Sequence, residues 1–471
     1  MLKTPPTLLH NKATAQDAEE IRKLVGAGKV FYGNTISEDY ARDELAVDTA
    51  FPDILVEPET TEEVAAVIRY ANERVIPVIP RGMGTGLCGG AVASRGGIMI
   101  STVRMNKILE IDQECLMATV QPGVILMDFQ KEVEKLGLFY PPEPGEKSAT
   151  VGGNVATNAG GMRAVKYGVT RDYVRGLEVV LPDGQVTEIH GKLAKSSSGY
   201  SLMHLMIGSE GTLGFITKIV VRLLPLPRKK VSLLVPFPSL AKAIGAVPKV
   251  LTSRTSPTAI EFMQTDVIHV WEKAMGKRFP HATAPAYLLL QFDGNSMAEL
   301  EAVYEKAAEV CLAAGALDVL IADTGDRQAS LWEARSTFLE AMKTIGQVEL
   351  ADAVVPPHLI PEFVTYCDSL SEKHGVKVWT YGHAGDGNCH IHILREKGME
   401  EEKWRKTLPA VMDDIFRKAH ELGGQVSGEH GIGEAKRKYF LKYGGEVNIE
   451  LMRRIKSCLD PKGIMNPGKV V

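Results

Sequence analysis

The sequence has few histidines, no paired cysteines, no long apolar run and no strong excess of either charge. With 54 basic against 58 acidic side chains, the formal net charge is -4. No face is forced to be strongly basic, so nucleic acid is not an expected partner. The six cysteines, Cys88, Cys115, Cys311, Cys367, Cys389 and Cys458, form no C-x-x-C pair. That argues against an iron–sulfur cluster or zinc knuckle and fits a reducing compartment. No uninterrupted apolar run approaches the roughly 20 residues that span a bilayer, so no transmembrane segment is expected. Residues 1–23 are polar and lack the apolar centre of a signal peptide, so the expected location is cytoplasmic.

What is present is an α/β-type pattern with room for two or three domains. Residues 15–27 read as an amphipathic helix, and Thr60–Thr61–Glu62–Glu63 opens another that runs to about Glu73. Short strands are expected at 75–80, 96–102 and 117–124, then a helix at 125–137. Residues 176–189 read as a hairpin across Asp183–Gly184. The prolines of "LLPLPRKK" (223–230) mark a boundary. Beyond it, strands near 231–237, 258–263, 286–293 and 317–323 alternate with helices near 239–251, 266–275, 297–314 and 328–343. A helix at 357–374, a turn-containing strand at 377–394 and a helix at 401–422 follow. The expected class is α+β, with a largely antiparallel sheet in the second half.

Three segments are rich in glycine: "PRGMGTGLCGG" (80–90), the run 141–161 and "IGSEGTLGFIT" (207–217). Bare backbone N–H groups in such loops can wrap a pyrophosphate. The first loop matches neither a nucleotide-triphosphate P-loop nor a nicotinamide fingerprint. The second is too long to be an idle connection and reads as a binding loop. Small donors at this density suit a flat polar ring system such as a flavin.

These loops, with "KYGVTRDYVRGLEVVLPDG" (166–184) and the ending "LDPKGIMNPGKVV", resemble the FAD-linked oxidases of the vanillyl-alcohol-oxidase superfamily. The branch they most resemble holds the D-lactate, glycolate and D-2-hydroxyglutarate dehydrogenases, and within it the bacterial D-lactate dehydrogenases and glycolate oxidase D subunits. The resemblance implies a two-subdomain, PCMH-type FAD-binding domain at 48–226, preceded by an N-terminal helical segment at 1–47. It also implies an α+β cap at 227–425 and a segment at 426–471 that packs back on the FAD domain. The residues matching the family's cofactor contacts are Arg81, Gly82, Gly84, Thr85 and Gly86, then Pro144, Ser148, Gly152, Gly153, Asn158, Gly161 and Ile216. Some relatives tether FAD through a histidine in the first loop. None is present here, so non-covalent FAD is expected, with Cys88 a packing residue.

"YGHAGDGNCHIH" (381–392) and "SGEHGIGEAKRKY" (427–439) place histidines and acids among glycines. Imidazole and carboxylate together suit a divalent metal such as Zn, Mn or Fe. The two motifs lie about 40 residues apart, and spacing alone does not bring them together. The resemblance does: it implies that His383, His390 and Glu429 bind the metal, that His430 is the base, and that Arg335 clamps the substrate carboxylate. Read without the resemblance, Arg335 is equally an exposed helix charge. His392 reads as support or a substrate contact, Asp386 and Asn388 as turn formers, and Glu434, Lys436 and Arg437 as a solvated helix start.

The implied activity is oxidation of a small D-2-hydroxy acid to the 2-keto acid. By the same resemblance, Leu339 and Leu350 stand where the hydroxyglutarate enzymes carry polar groups, which favours a short substrate over D-2-hydroxyglutarate. With no second redox motif, the electrons are expected to leave to an electron-transfer flavoprotein or another redox subunit, and a homo-oligomer is compatible. Direct use of oxygen and a non-catalytic flavin-binding subunit are the competing expectations.

Overall fold

The computed structural model describes residues 9–44, 49–146, 148–280, 282–395 and 398–471. Residues 1–8 of the segment read as polar, the expected boundary at 47/48 and Lys147 of the second glycine-rich run lie outside the described residues. The chain divides into two compact units. The first comprises Met1–Ala159, Val169–Leu226 and His430–Val471, and the second Gly160–Gly168 and Pro227–Glu429. Residues 160–168 thus group with the second unit although they fall inside the 48–226 range.

The first unit holds two principal sheets. A four-stranded sheet runs in the order 30–32, 54–56, 98–101, 78–81; its first pair is antiparallel and the others parallel. Helix Thr61–Arg74 is capped by Thr60, whose hydroxyl accepts from Glu63 N at 3.3 Å. It buries Val64, Val67 and Ile68 with Ile54, Val56 and Ile98 of the sheet. Each such side chain, fully withdrawn from water, contributes about 1.5–3 kcal/mol. A five-stranded antiparallel sheet runs 108–112, 117–120, 215–222, 174–180, 186–190. The expected hairpin is its last pair, with Gly184 at φ 82°.

The second unit is built on seven strands: β1 (Lys229–Phe237), β2 (Ala259–Gln264), β3 (Ala286–Gly294), β4 (Leu320–Ala322), β5 (Val348–Val354), β6 (Lys377–His383) and β7 (Asn388–Leu394). They form one antiparallel sheet in the order β4-β1-β3-β2-β6-β7-β5. Helices Thr265–Met275, Gly325–Ser336 and Phe338–Lys343 share a core with it around Met263, Trp271, Phe338 and Tyr381.

Several sequence expectations need correction. The run 141–161 is not loop throughout, because Val151–Thr157 is helical. Thr150 caps it, accepting from Gly153 N at 3.1 Å, and tertiary packing overrides the low helix propensity of two glycines. A Cβ on Gly152 would lie 2.4 Å from Pro122 Cβ, so packing alone requires glycine there. The expected helix 328–343 is two helices broken at Thr337. The Thr337 hydroxyl donates back to Glu333 O at 2.7 Å and accepts from Trp271 Nε1 at 2.9 Å. The expected helix 357–374 begins with a 3-10 turn, Pro357–Leu359. Strand β5 was not foreseen. Lys436 is not solvated: it is only 2% exposed, in a stretch where the backbone N–H groups of Glu434 and Ala435 donate to Cys88 O.

Candidate active site

Antiparallel register builds the site on one face of the sheet. Glu261 of β2 stands opposite His383 at the end of β6, and His383 opposite Asn388 at the start of β7. Tyr381 and His390 are partners across β6 and β7, and His390 faces Asp352 of β5. Side chains two residues apart on a strand share a face, so these six converge. All but Tyr381 are polar or charged, on a sheet whose strands are otherwise mostly apolar.

His383 is 5% exposed. Its Nδ1 lies 2.7 and 2.9 Å from the two oxygens of Glu261, which is itself fully buried. A hydrogen bond there makes Nδ1 the donor and leaves Nε2 with its lone pair. His383 Nε2, His390 Nε2 and Glu429 Oε1 form a nearly equilateral triangle with edges of 3.2, 3.4 and 3.4 Å. Tetrahedral N and O ligands about 2.0–2.1 Å from zinc are about 3.3–3.4 Å apart, so the donor set fits such an ion in kind and spacing. Burial opposes a charge on His383, but the Glu261 and Glu429 carboxylates outweigh it and push its pKa well above the ordinary value.

Arg335 does not behave as an exposed helix charge. It is 6% exposed and pairs with Glu261 Oε2 at 2.5 Å, and its guanidinium lies 4.6 Å from the Tyr381 ring centroid. Its Nε is buried without a hydrogen-bond partner among the described residues. The His392 ring stacks on Tyr381 at 4.7 Å, and the Tyr381 hydroxyl is 3.2 Å from its Nε2. Asp386 shapes the turn, its Oδ1 accepting from Asn388 N at 3.2 Å, while burial pushes its pKa up to about 6.

Sequence reasoning missed Glu261, Asp352 and the part played by Gly160. A Cβ on Gly160 would lie 2.8 Å from Glu429 Oε2 and 3.1 Å from its Cβ, so the bare backbone leaves room for the candidate ligand. The available signal for the two acids was an acidic residue at the centre of an apolar strand, "AIEFM" and "LADAVV".

The remaining expected residues, apart from Gly161, belong to the first unit. Arg81 is 5% exposed, and its guanidinium donates to the carbonyls of Ala91 (3.1 Å) and Asp39 (2.6 Å). It thus holds the first loop in shape. Within that loop lie Gly82, Gly84 (φ 74°), Thr85 and Gly86, and the backbone N–H groups of residues 83–87 donate no hydrogen bond among the described residues. Such a row of open donors fits a pyrophosphate. Asn154 Nδ2, 5% exposed as a residue, is likewise buried without a partner among them. Ser148 bonds locally to Glu146, Pro144 is partly buried, and Gly153 lies in helix Val151–Thr157. Asn158 ends that helix in the left-handed conformation and accepts from Arg171 N at 2.9 Å. Ile216 is partly buried in strand Phe215–Arg222. His430 follows Glu429 directly and opens the last stretch of the first unit, where Ile432 N and Gly433 N donate to the buried Glu210 carboxylate at 2.7 and 2.8 Å. Cys88 is buried, its thiol 3.4 Å from Gly431 O.

Comparison with known proteins accounts for both halves of the chain. Residues 52–190 match the family described as FAD binding domain, and residues 226–470 match FAD linked oxidases, C-terminal domain. The chain belongs to the FAD-linked oxidase family. It is 47% identical over 468 residues to a D-lactate dehydrogenase of Anaerostipes hadrus, covering 98% of each chain. It is 39% identical over 433 residues to the glycolate oxidase subunit GlcD of Bacillus subtilis, covering 92% of this chain and 91% of the relative. The fold is that of PCMH-type flavoproteins. It superposes on p-cresol methylhydroxylase with a TM-score of 0.81 at 18% identity, covering 98% of both chains. As a member of this family the chain is an FAD-dependent oxidoreductase, and no helix among its described residues is long and apolar enough to cross a membrane.

Proposed function

We propose that this FAD-linked oxidase oxidises a small D-2-hydroxy acid, D-lactate or glycolate, to the 2-keto acid. The observation that carries the reading is the triangle of His383 Nε2, His390 Nε2 and Glu429 Oε1, in a chain similar over its length to a D-lactate dehydrogenase. A divalent cation held by these three residues would supply Lewis acidity to the substrate's hydroxyl and carboxylate oxygens, and non-covalent FAD the two-electron sink.

The chain's own groups do the rest. Glu261 holds His383 in the tautomer whose Nε2 can ligate. Arg335, neutralised on one side by Glu261, keeps a buried Nε donor for the substrate carboxylate. The His430 imidazole takes the hydroxyl proton as general base. Leu350, 5% exposed and facing His392 in register, offers no partner to a second carboxylate, which favours a short substrate. The electrons then pass to an electron-transfer flavoprotein or another redox subunit.

Anaerobic mixing with D-lactate, L-lactate, glycolate and D-2-hydroxyglutarate tests the assignment by flavin absorbance. Bleaching by D-lactate or glycolate is expected, and no bleaching by any of the four refutes the substrate class. His430→Ala is expected to stay yellow and lose substrate reduction. Fast reduction by that variant removes His430 from its role.

A further inference from the structure

We propose that Asp352 is the positioning residue of the metal centre, the group that locks the loop-borne ligand Glu429 to the strand-borne ligands His383 and His390. The proposal rests on the metal-assisted reading above.

Asp352 lies in the middle of β5 with no exposure. Its Oδ2 accepts from Ser427 Oγ at 2.8 Å, Gly428 N at 3.1 Å and Glu429 N at 3.1 Å. Its Oδ1 accepts from Asn388 Nδ2 at 2.6 Å. Asn388 is the register partner of His383, and Asp352 that of His390. One carboxylate therefore accepts from the backbone of one ligand, Glu429, stands opposite a second, His390, and accepts from Asn388, the register partner of the third, His383. A second tie draws the incoming chain to the same strand: Val354 and Gln425 exchange backbone bonds of 3.2 and 2.9 Å.

The residue type follows from the donors. Four N–H or O–H groups converge on this side chain, and only an ionised carboxylate offers acceptors on both sides with no hydrogen of its own. An amide at this position must turn its NH2 either toward Asn388 Nδ2 or toward the backbone donors of Gly428 and Glu429. Either way buried donors lose their acceptor, and the Glu429 backbone is released. Supporting groups of this kind typically change metal affinity by about 10- to 100-fold when altered.

The test compares wild type, Asp352→Asn and Ser427→Ala, each with its FAD. Bound Zn2+ and Mn2+ are measured at graded free metal in a chelator buffer, with flavin stoichiometry as the folding control. Asp352→Asn is expected to bind either metal about 10- to 100-fold more weakly at full flavin content. Ser427→Ala, which removes one of the donors, is expected to lose about 2- to 10-fold. Unchanged metal affinity in flavin-loaded Asp352→Asn overturns the proposal while leaving the metal-assisted reading intact. Should Asp352→Asn fail to hold flavin, Ser427→Ala decides, and unchanged affinity there overturns the proposal. A wild-type protein that binds neither metal sinks the metal-assisted reading itself, and this proposal with it.

Discussion

Replacing Glu261 by glutamine removes a charge on which two buried groups depend, without changing the size of the side chain. Glu261 is fully buried between His383 Nδ1 and the Arg335 guanidinium, which is 6% exposed. Removing one partner of a buried ion pair costs about 3–5 kcal/mol, because the other charge stays in a low dielectric. The glutamine oxygen can still accept one hydrogen bond, recovering about 1 kcal/mol. The expected loss is thus about 2–4 kcal/mol. At about 2–4 °C per kcal/mol for a unit of this size, the transition should fall by about 4–16 °C. All four tryptophans, Trp271, Trp332, Trp379 and Trp404, lie in the second unit, so tryptophan fluorescence follows its unfolding selectively. The double variant Glu261→Gln/Arg335→Met, with no orphaned cation, should recover part of the loss. A Glu261→Gln protein within about 0.5 kcal/mol of wild type, the range of an ordinary surface substitution, would refute the argument.

Other consequences are equally measurable. Gly160→Ala should displace Glu429 and weaken metal binding at unchanged flavin content, and a metal titration identical to wild type contradicts the close approach. In the metal-free protein His383 has a raised pKa, so its protonation stabilises the fold fully below about pH 6.5, and that contribution fades as pH climbs through the raised value. Metal affinity should run the other way, rising over the same window as the competing proton leaves; thermal melts of metal-free and metal-loaded protein from about pH 6 to about pH 9 check both signs. Acid precipitation should release all of the yellow colour to the supernatant, since the loop at 80–90 has no histidine tether; colour retained in the pellet contradicts this.

The candidate ligands were legible as histidines and acids clustered in two short glycine-rich motifs, and the family resemblance picked out His383, His390 and Glu429 among them. Their supports were not. Glu261 stands alone among apolar residues in β2 and Asp352 is one of two acids in β5, and periodicity reads such residues as incidental. Their meaning appears only when register sets Glu261 opposite His383 and Asp352 opposite His390. Arg335 could be read two ways until burial decided that it is not a surface charge. The helix Val151–Thr157 was hidden by its glycines, since propensity is a local quantity and the contact of Gly152 with Pro122 is not. Strand β5 was overlooked because two acids divide its short apolar run.

Residues 160–168 give the second unit an unusual dependence on distant sequence. The Lys166 ammonium pairs with the Asp293 carboxylate, whose side chain is 1% exposed, and the Tyr167 hydroxyl donates to Asp293 at 2.9 Å. Val165 fills the space beside Gly385, and Gly160 abuts Glu429. A fragment cut at the obvious proline-rich boundary, residues 227–429, would therefore strand a buried anion and loosen the surroundings of a candidate ligand. Grafting this half onto another flavoprotein would require carrying a nine-residue passenger from far upstream, so the two halves are not interchangeable cassettes.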